Sequence, residues 1–473
     1  MAAQEDEPPV TIFSSGKAGL PDEEVTFADI AKSHGYTTGI VGKWHVGLDE
    51  TSWGDQKHGP KGHGFDYFFG LPFTLVNAFA SNDSFFTCNR IFKGNEYVYI
   101  LISILFLRAI LTNRSFLLML PVILFLAWFL LEHFNITRKK WWGRSNWMWK
   151  FLNSFLMENM EIVEKPISLV PLADKLVMKS TKFIESAVSK GKPFLLYHAF
   201  AHVHTPLFTA KRFEGKSAHG PYGDTVLETD DAIGRILNLL ERLKIADNTF
   251  VYFTSDHGGN YPQDGERGGW NHPFRGGKTN GALEGGIRVP GIVKWPARLR
   301  RGLIVSQPTS MLDILPTIAD IVGHKQKPNK KLDGVSMMNF LTQKQERSNR
   351  TLFHYCGSEL MAVREVTEKG KTYKLTLKEP RTYRDGACPT YICKCHGRSV
   401  VRHKKPLLYD IEKYPDESRT IDMRSEEYQT VAGRLMMKVH EFKAEMEKSK
   451  TPSQYSTFKM VMPRPWLHPF LNK

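Results

Sequence analysis

The sequence predicts an α/β protein: a large mixed, mainly parallel sheet flanked by helices, with an inserted apolar helical hairpin and a smaller C-terminal α+β subdomain. Three observations carry this expectation. Continuous apolar runs of strand length alternate with amphipathic helical stretches. Polar clusters recur where those runs end. From about Thr351 the chain changes to short strands and turns that hold most of the cysteines.

The elements follow in order. Thr26-Phe27-Ala28-Asp29-Ile30-Ala31 is helix-like with Thr26 as its cap, Gly35 breaks it, and Thr37 to Val41 reads as a short buried strand. The two most apolar segments come next, Tyr97 to Leu111 and Phe116 to Leu131. Each is shorter than the ~20 residues of a full membrane span. Leu117 to Leu131 is nonetheless apolar all round, and Trp128, Trp141, Trp142, Trp147 and Trp149 with Arg138, Lys139 and Lys140 resemble an interfacial belt. Residues 96–135 are therefore expected to dip into a membrane as a hairpin, in preference to a pair of core helices. Alternation then returns, with a helix over 172–190, a buried strand Pro193 to Phe200, a helix over 224–244 and a buried strand Thr249 to Thr254. A last helix lies near 425–448.

Composition sets the class. Hydrophobic residues make up 41% and charged residues 24% of 473, as in a folded globular chain. The net charge of +15, from 64 Lys+Arg against 49 Asp+Glu, favours an anionic partner. The basic residues are spread rather than gathered in a patch or helix stripe, so nucleic acid is not expected. Cys356, Cys388, Cys393 and Cys395 crowd the last quarter. Cys393-Lys394-Cys395 has no second Cys/His pair at zinc-site spacing, which leaves disulfides in an oxidising compartment as the expectation. Four Asn-x-Ser/Thr sequons, at Asn82, Asn113, Asn135 and Asn349, fit that compartment. "MAAQEDEPPV" is acidic and has no apolar core, unlike a secretory signal.

In an α/β sheet the ligand site lies beyond the carboxyl ends of the strands, and polar clusters fall there repeatedly. Lys43 and His45 follow the first strand, His202 and His204 the next, and Asp256 and His257 the next again. Taken singly, each has a bland reading: a solvated lysine, or a hydrogen-bonded core histidine. Asp256 is the strongest, because a carboxylate after a fully apolar strand must meet a cation, donors or water. A Gly-rich stretch, Gly276-Gly277-Lys278 to Glu284-Gly285-Gly286-Ile287-Arg288, adds two more cations. Cations, imidazoles and a metal-competent carboxylate on one sheet edge suit an ester sulfate or phosphate.

The motifs "GKWHVG", "FAHVHTPLF", "VYFTSDHGG", "GGKTNGALEGGIRVPGIVKWP" and "PTSMLDILPTIADIVG" stand in the order found in sulfatases. With the apolar hairpin, the chain resembles the steroid sulfatase and arylsulfatase branch from about Gly16 to its end. The resemblance implies the alkaline phosphatase-like fold and hydrolysis of sulfuric esters of aryl or steroid-like alcohols. It implies one calcium ion, a sulfated small-molecule substrate and a membrane-associated place in the endoplasmic reticulum or Golgi lumen. By the same resemblance Lys43 and His45 hold the sulfate and stabilise the nucleophile, and His204 protonates the leaving oxygen with His202 as its weaker neighbour. Lys278 is the second sulfate-binding lysine, and Asp256 with His257 falls at the metal. The implied units are residues 1–95 and 136–350 of the catalytic domain, 96–135 as the hairpin and 351–473 as the Cys-containing subdomain.

Two departures limit what the resemblance implies. Sulfatases carry a formylglycine made from Cys or Ser in C-x-P-x-R, with an Asp-Asp pair near the mature N-terminus completing the calcium site. Neither motif occurs in this sequence ahead of Lys43, and none of the five cysteines has x-Pro-x-Arg after it. His257 also stands where the family usually has Asn or Gln, and calcium prefers oxygen. The reading is of a chain without its first strand and nucleophile, inactive as written. The alternative is a non-catalytic relative that binds sulfated ligands or protein partners.

Overall fold

The computed structural model describes residues 19–48, 57–75, 154–165, 167–260, 268–325, 331–356, 359–383 and 397–448. The expected hairpin at 96–135 lies outside these residues, as do Cys88, Cys388, Cys393 and Cys395. Among the described residues no helix is long and apolar enough to cross a membrane.

The first elements form as their residues dictate. Thr26 Oγ1 accepts from the amides of Ala28 (3.1 Å) and Asp29 (3.2 Å), and the Asp29 carboxylate accepts from the Thr26 amide at 2.9 Å. This capping box starts α1 (Phe27–Ser33). Gly35, at φ +81°, ends the helix where a side chain would be strained. Next comes β1 (Thr37–Lys43), which outruns the expected Val41 because Gly42 and Lys43 pair in register with Gly70 and Leu71 of β2 (Tyr67–Leu71).

β3 (Leu156–Glu158), β4 (Glu161–Glu164), α2 (Leu172–Ser189), β5 (Phe194–Ala199), α3 (Gly220–Arg242), β6 (Val251–Thr254), β7 (Gly291–Lys294) and α4 (Ile314–Ile321) follow. One sheet has the order β4-β3-β2-β1-β5. β1 runs parallel to both β2 and β5, and alternate residues of β1 and β2 face opposite layers. Ile40 and Phe68 pack with Ala28 of α1, Phe65 and Phe73, while Val41 and Phe69 pack with Leu172 and Leu176 of α2. The result is a helix–sheet–helix sandwich.

Two expectations need correction. Among the described residues the main sheet is mixed but not mainly parallel, since β2–β3 and β3–β4 are antiparallel. The cause is local: β3 and β4 are joined by the two-residue turn Asn159-Met160, with Asn159 at φ +55°, and a link that short can only make a hairpin. Nor are β5 and β6 buried strands. Their residues are only partly covered and Tyr197 is exposed. β6 pairs antiparallel with β7, apart from the main sheet. Among the described residues nothing pairs with the second edge of β5 or of β6, and both strands border one cavity of about 2540 Å³.

The C-terminal subdomain is an antiparallel sheet in the order β11-β10-β9-β8, built from β8 (Arg350–Cys356), β9 (Glu359–Val366), β10 (Thr372–Pro380) and β11 (Val400–Asp410). α5 (Glu426–Lys448) lays Tyr428, Val431, Leu435 and Val439 over Val363, Leu375 and Leu408. Each such buried aliphatic side chain contributes about 1.5–3 kcal/mol.

Candidate active site

Lys43 closes β1, and the backbone around it is drawn tight by glycine. Gly42 stands at φ +117°, and a Cβ there would lie 1.7 Å from the Ala199 carbonyl oxygen, so no other residue lets β5 approach here. The turn that follows is pinned to the end of β2, with the Trp44 amide donating to Leu71 O (2.9 Å) and the His45 amide to Pro72 O (3.0 Å). The Trp44 indole donates to Gly47 O (2.6 Å) and His58 O (2.9 Å), which fixes the segment carrying both candidate residues. His45 itself takes a left-handed backbone, φ +58°.

The two histidines after β5 separate in role. His202 Nε2 lies 3.0 Å from Glu228 Oε2 of α3, and both side chains are buried, so His202 is engaged in packing. His204 Nδ1 lies 2.6 Å from Thr205 O, which places the ring proton on Nδ1. Burial first, and the Lys278 charge second, push its pKa down to about 4, so the ring is neutral at physiological pH.

Asp256 and His257 follow β6 and turn to each other: His257 Nε2 lies 3.3 Å from Asp256 Oδ2, and the His257 amide donates to Asp256 Oδ1 at 3.0 Å. The Gly-rich stretch is stitched to this turn by backbone bonds. Gly258 N–H donates to Gly286 O (3.0 Å) and Lys278 N–H to Gly259 O (3.1 Å). Lys278 is thereby held where Asp256 attracts it. Desolvation pulls the pKa of both Lys43 and Lys278 below the ordinary lysine value, Asp256 opposes this for both, and Lys278 depresses Lys43 further.

Lys43, His45, His202, His204, Asp256, His257, Lys278 and Arg288 all line the large cavity between β5 and β6. Two partly desolvated ammonium groups and a neutral imidazole around one carboxylate can bind an oxyanion through charge-assisted hydrogen bonds. The described residues do not furnish a calcium cage. Asp256 supplies one carboxylate beside a nitrogen ligand, whereas calcium takes six to eight oxygens. Among them the one group of three His, Cys, Asp or Glu side chains close enough for a metal lies elsewhere, at Asp22, His58 and His63.

Three further residues shape the site without having been expected. Asn271 bridges Gly259 and Gly276, Glu228 holds His202, and Glu284 sits fully buried in the Gly-rich stretch. The one sequence signal for them is a polar side chain set among glycines or apolar residues.

Comparison with known proteins identifies the family. The sulfatase family profile matches residues 4–324, and that of the C-terminal region of aryl-sulfatase matches residues 347–473. Human arylsulfatase D is 37% identical over 97% of this chain and 77% of its own length. Human steryl-sulfatase is 37% identical over 88% of this chain and 72% of its own. The solved structure of the PsFucS1 sulfatase from Pseudoalteromonas sp. superposes with a TM-score of 0.64 at 23% identity, covering 89% of this chain and 73% of that one, which supports the shared alkaline phosphatase-like α/β fold. The chain belongs to the sulfatase family, whose named members are sulfuric ester hydrolases.

Proposed function

We propose that the cavity binds the sulfate group of aryl or steroid-like monoesters, and that the 473 residues alone do not turn them over. The observation that carries the binding half is the convergence of Lys43, Lys278 and His204 on one cavity with Asp256. Two lysines offset charge on the sulfuryl oxygens. Burial and then the Lys278 charge keep His204 neutral, and a bound anion opposes the second of these, which favours the protonated ring that a leaving alkoxide requires.

The second half rests on the missing covalent group. No C-x-P-x-R occurs in the sequence, so the formylglycine of sulfatases has no precursor here. Losing a covalent nucleophile removes several orders of magnitude in rate. Binding of sulfated ligands without turnover by these residues is the reading that unites the cations clustered on the cavity with a sequence that carries no C-x-P-x-R. A lumenal, membrane-associated location belongs to the same proposal, supported by the crowded cysteines and by the apolar residues 96–135.

The test is direct. Purified chain is titrated with 4-methylumbelliferyl sulfate and assayed for released 4-methylumbelliferone with and without calcium. Saturable binding that Lys278→Ala weakens, with no turnover in either protein, is the expected result. Calcium-dependent turnover well above the Lys278→Ala control overturns the non-catalytic reading, and absence of binding overturns the anion site.

A further inference from the structure

Glu284 is fully buried, and its carboxylate is paired there with two cations. Arg364 Nη2 of β9 donates to Oε1, and Lys374 Nζ of β10 donates to the same oxygen at 2.9 Å. Lys374, also without solvent contact, donates to Glu417 Oε1 at 2.7 Å, and Glu417 Oε2 accepts the Glu284 amide at 2.8 Å. Two carboxylates and two buried cations thus face one another in the interior, with the half-exposed Arg288 3.9 Å from Glu284 Oε2, and an uncompensated charge there costs several kcal/mol. Arg364, Lys374 and Glu417, which hold the Glu284 carboxylate and amide, all belong to the C-terminal subdomain, while Glu284 itself belongs to the loop that carries Lys278.

From Glu284 the constraint passes through backbone. Gly285 N–H donates to Arg275 O (2.7 Å), the next residue accepts from Gly258, and Lys278 N–H reaches Gly259 O (3.1 Å). The loop has no room to slide. A Cβ on Gly281 would lie 1.8 Å from Tyr355 O of β8, and one on Gly285 2.1 Å from Gly276 O. Anchoring one point of so tight a loop fixes the rest.

We infer that Glu284 is a positioning residue for the oxyanion site: by tying the Gly-rich loop to the C-terminal sheet it aims Lys278 and the Asp256 turn at Lys43 and His204. The C-terminal subdomain is then part of the site's frame. This rests on Lys278 being a sulfate-binding group, as proposed above, and the experiment separates the two claims.

The variants are Glu284→Asp, which keeps the charge and shortens the reach by one methylene, Lys278→Ala, and the pair together. Lys374→Met/Glu417→Gln, which removes one cation and one anion in balance, serves as a second route should the first variant fail to fold. Affinity for 4-methylumbelliferyl sulfate is measured for each, with amide hydrogen exchange at Gly258 and Lys278. Glu284→Asp is expected to weaken binding roughly tenfold in the parent and less than about twofold in the Lys278→Ala background. An equal loss in both backgrounds, or none, overturns the inference. Should the parent and Lys278→Ala bind alike, the sulfate reading of Lys278 fails and exchange decides the remainder. Faster exchange at Gly258 and Lys278, with β10 still protected, supports positioning by Glu284, and unchanged exchange overturns it.

Discussion

Asn271 clasps Gly259 with both ends of its amide: Nδ2 donates to the Gly259 carbonyl at 2.9 Å, and Oδ1 accepts the Gly259 amide at 2.8 Å. The same Nδ2 also reaches Gly276 O at 3.0 Å, so one side chain closes the gap between the Asp256 turn and the loop of Lys278. Asn271→Ala removes the acceptor of the Gly259 amide and the side-chain donor of the Gly276 carbonyl, while Gly259 O keeps the Lys278 amide, and is expected to cost about 1–3 kcal/mol. Urea denaturation reads the loss, and titration with an aryl sulfate should show weaker binding. Unchanged stability and affinity contradict the clasp.

Lys43→Ala should weaken aryl sulfate binding by about 1.5–3 kcal/mol, roughly ten- to a hundredfold in Kd. Because Lys43 lies in a partly desolvated cavity with Lys278, the parent's affinity should also fall as salt rises from 0.05 to about 0.5 M. Equilibrium dialysis at several salt concentrations checks both. Salt-independent binding would point to an apolar contact rather than to the lysines.

Acid stability should fall in two stages. Burial pushes the Glu284 carboxyl up, but Arg364 and Lys374 outweigh it and hold the group at about 2. A depressed carboxyl pKa means its contribution, at most about 3 kcal/mol, is fully present above about pH 4.5 and lost as pH falls toward 2. Desolvation, reinforced by Arg364 and Lys374, pushes His354 well below the ordinary imidazole value, and His204 and His198 are lowered to about 4. Those rings stay neutral in the fold while the unfolded chain takes up protons, so stability declines from about pH 6.5 downward. Guanidinium melts from pH 7 to 3 should show both limbs. Glu284→Gln should flatten the lower one, and an identical slope in that variant counts against the ion network.

Asn349 is exposed just before β8, and its side-chain oxygen accepts the Glu368 amide at 3.1 Å, which leaves Nδ2 as the atom a glycan requires. Expression through a secretory compartment should place a glycan there. Treatment with peptide N-glycosidase followed by mass spectrometry of the tryptic peptide gives the answer. An unmodified Asn349 from such cells argues against lumenal residence.

Much of the site could be read from sequence because parallel strands bring their carboxyl ends together. Lys43 and His204 follow apolar runs whose strands, β1 and β5, are parallel neighbours, whereas Asp256 follows β6, which pairs antiparallel with β7. The Thr26 cap was equally legible, since a capping box is local chemistry within four residues. Other features were hidden for definite reasons. β3 and β4 span three and four residues, too few for any periodicity to register. An apolar run such as Phe194–Ala199 reads alike whether a neighbouring strand or a cavity lies beside it. Glu284 meets Arg364 and Glu417 at separations of 80 and 133 residues, and nothing in its neighbours announces that pairing.

The two half-open strands carry a consequence for handling the protein. Among the described residues the second edges of β5 and β6 are unpaired, with Tyr197 and Ile292 exposed nearby, and such edges are a template for another polypeptide's strand. Chains at high concentration should therefore find one another edge to edge. Sedimentation velocity across a dilution series should show larger species that disperse on dilution.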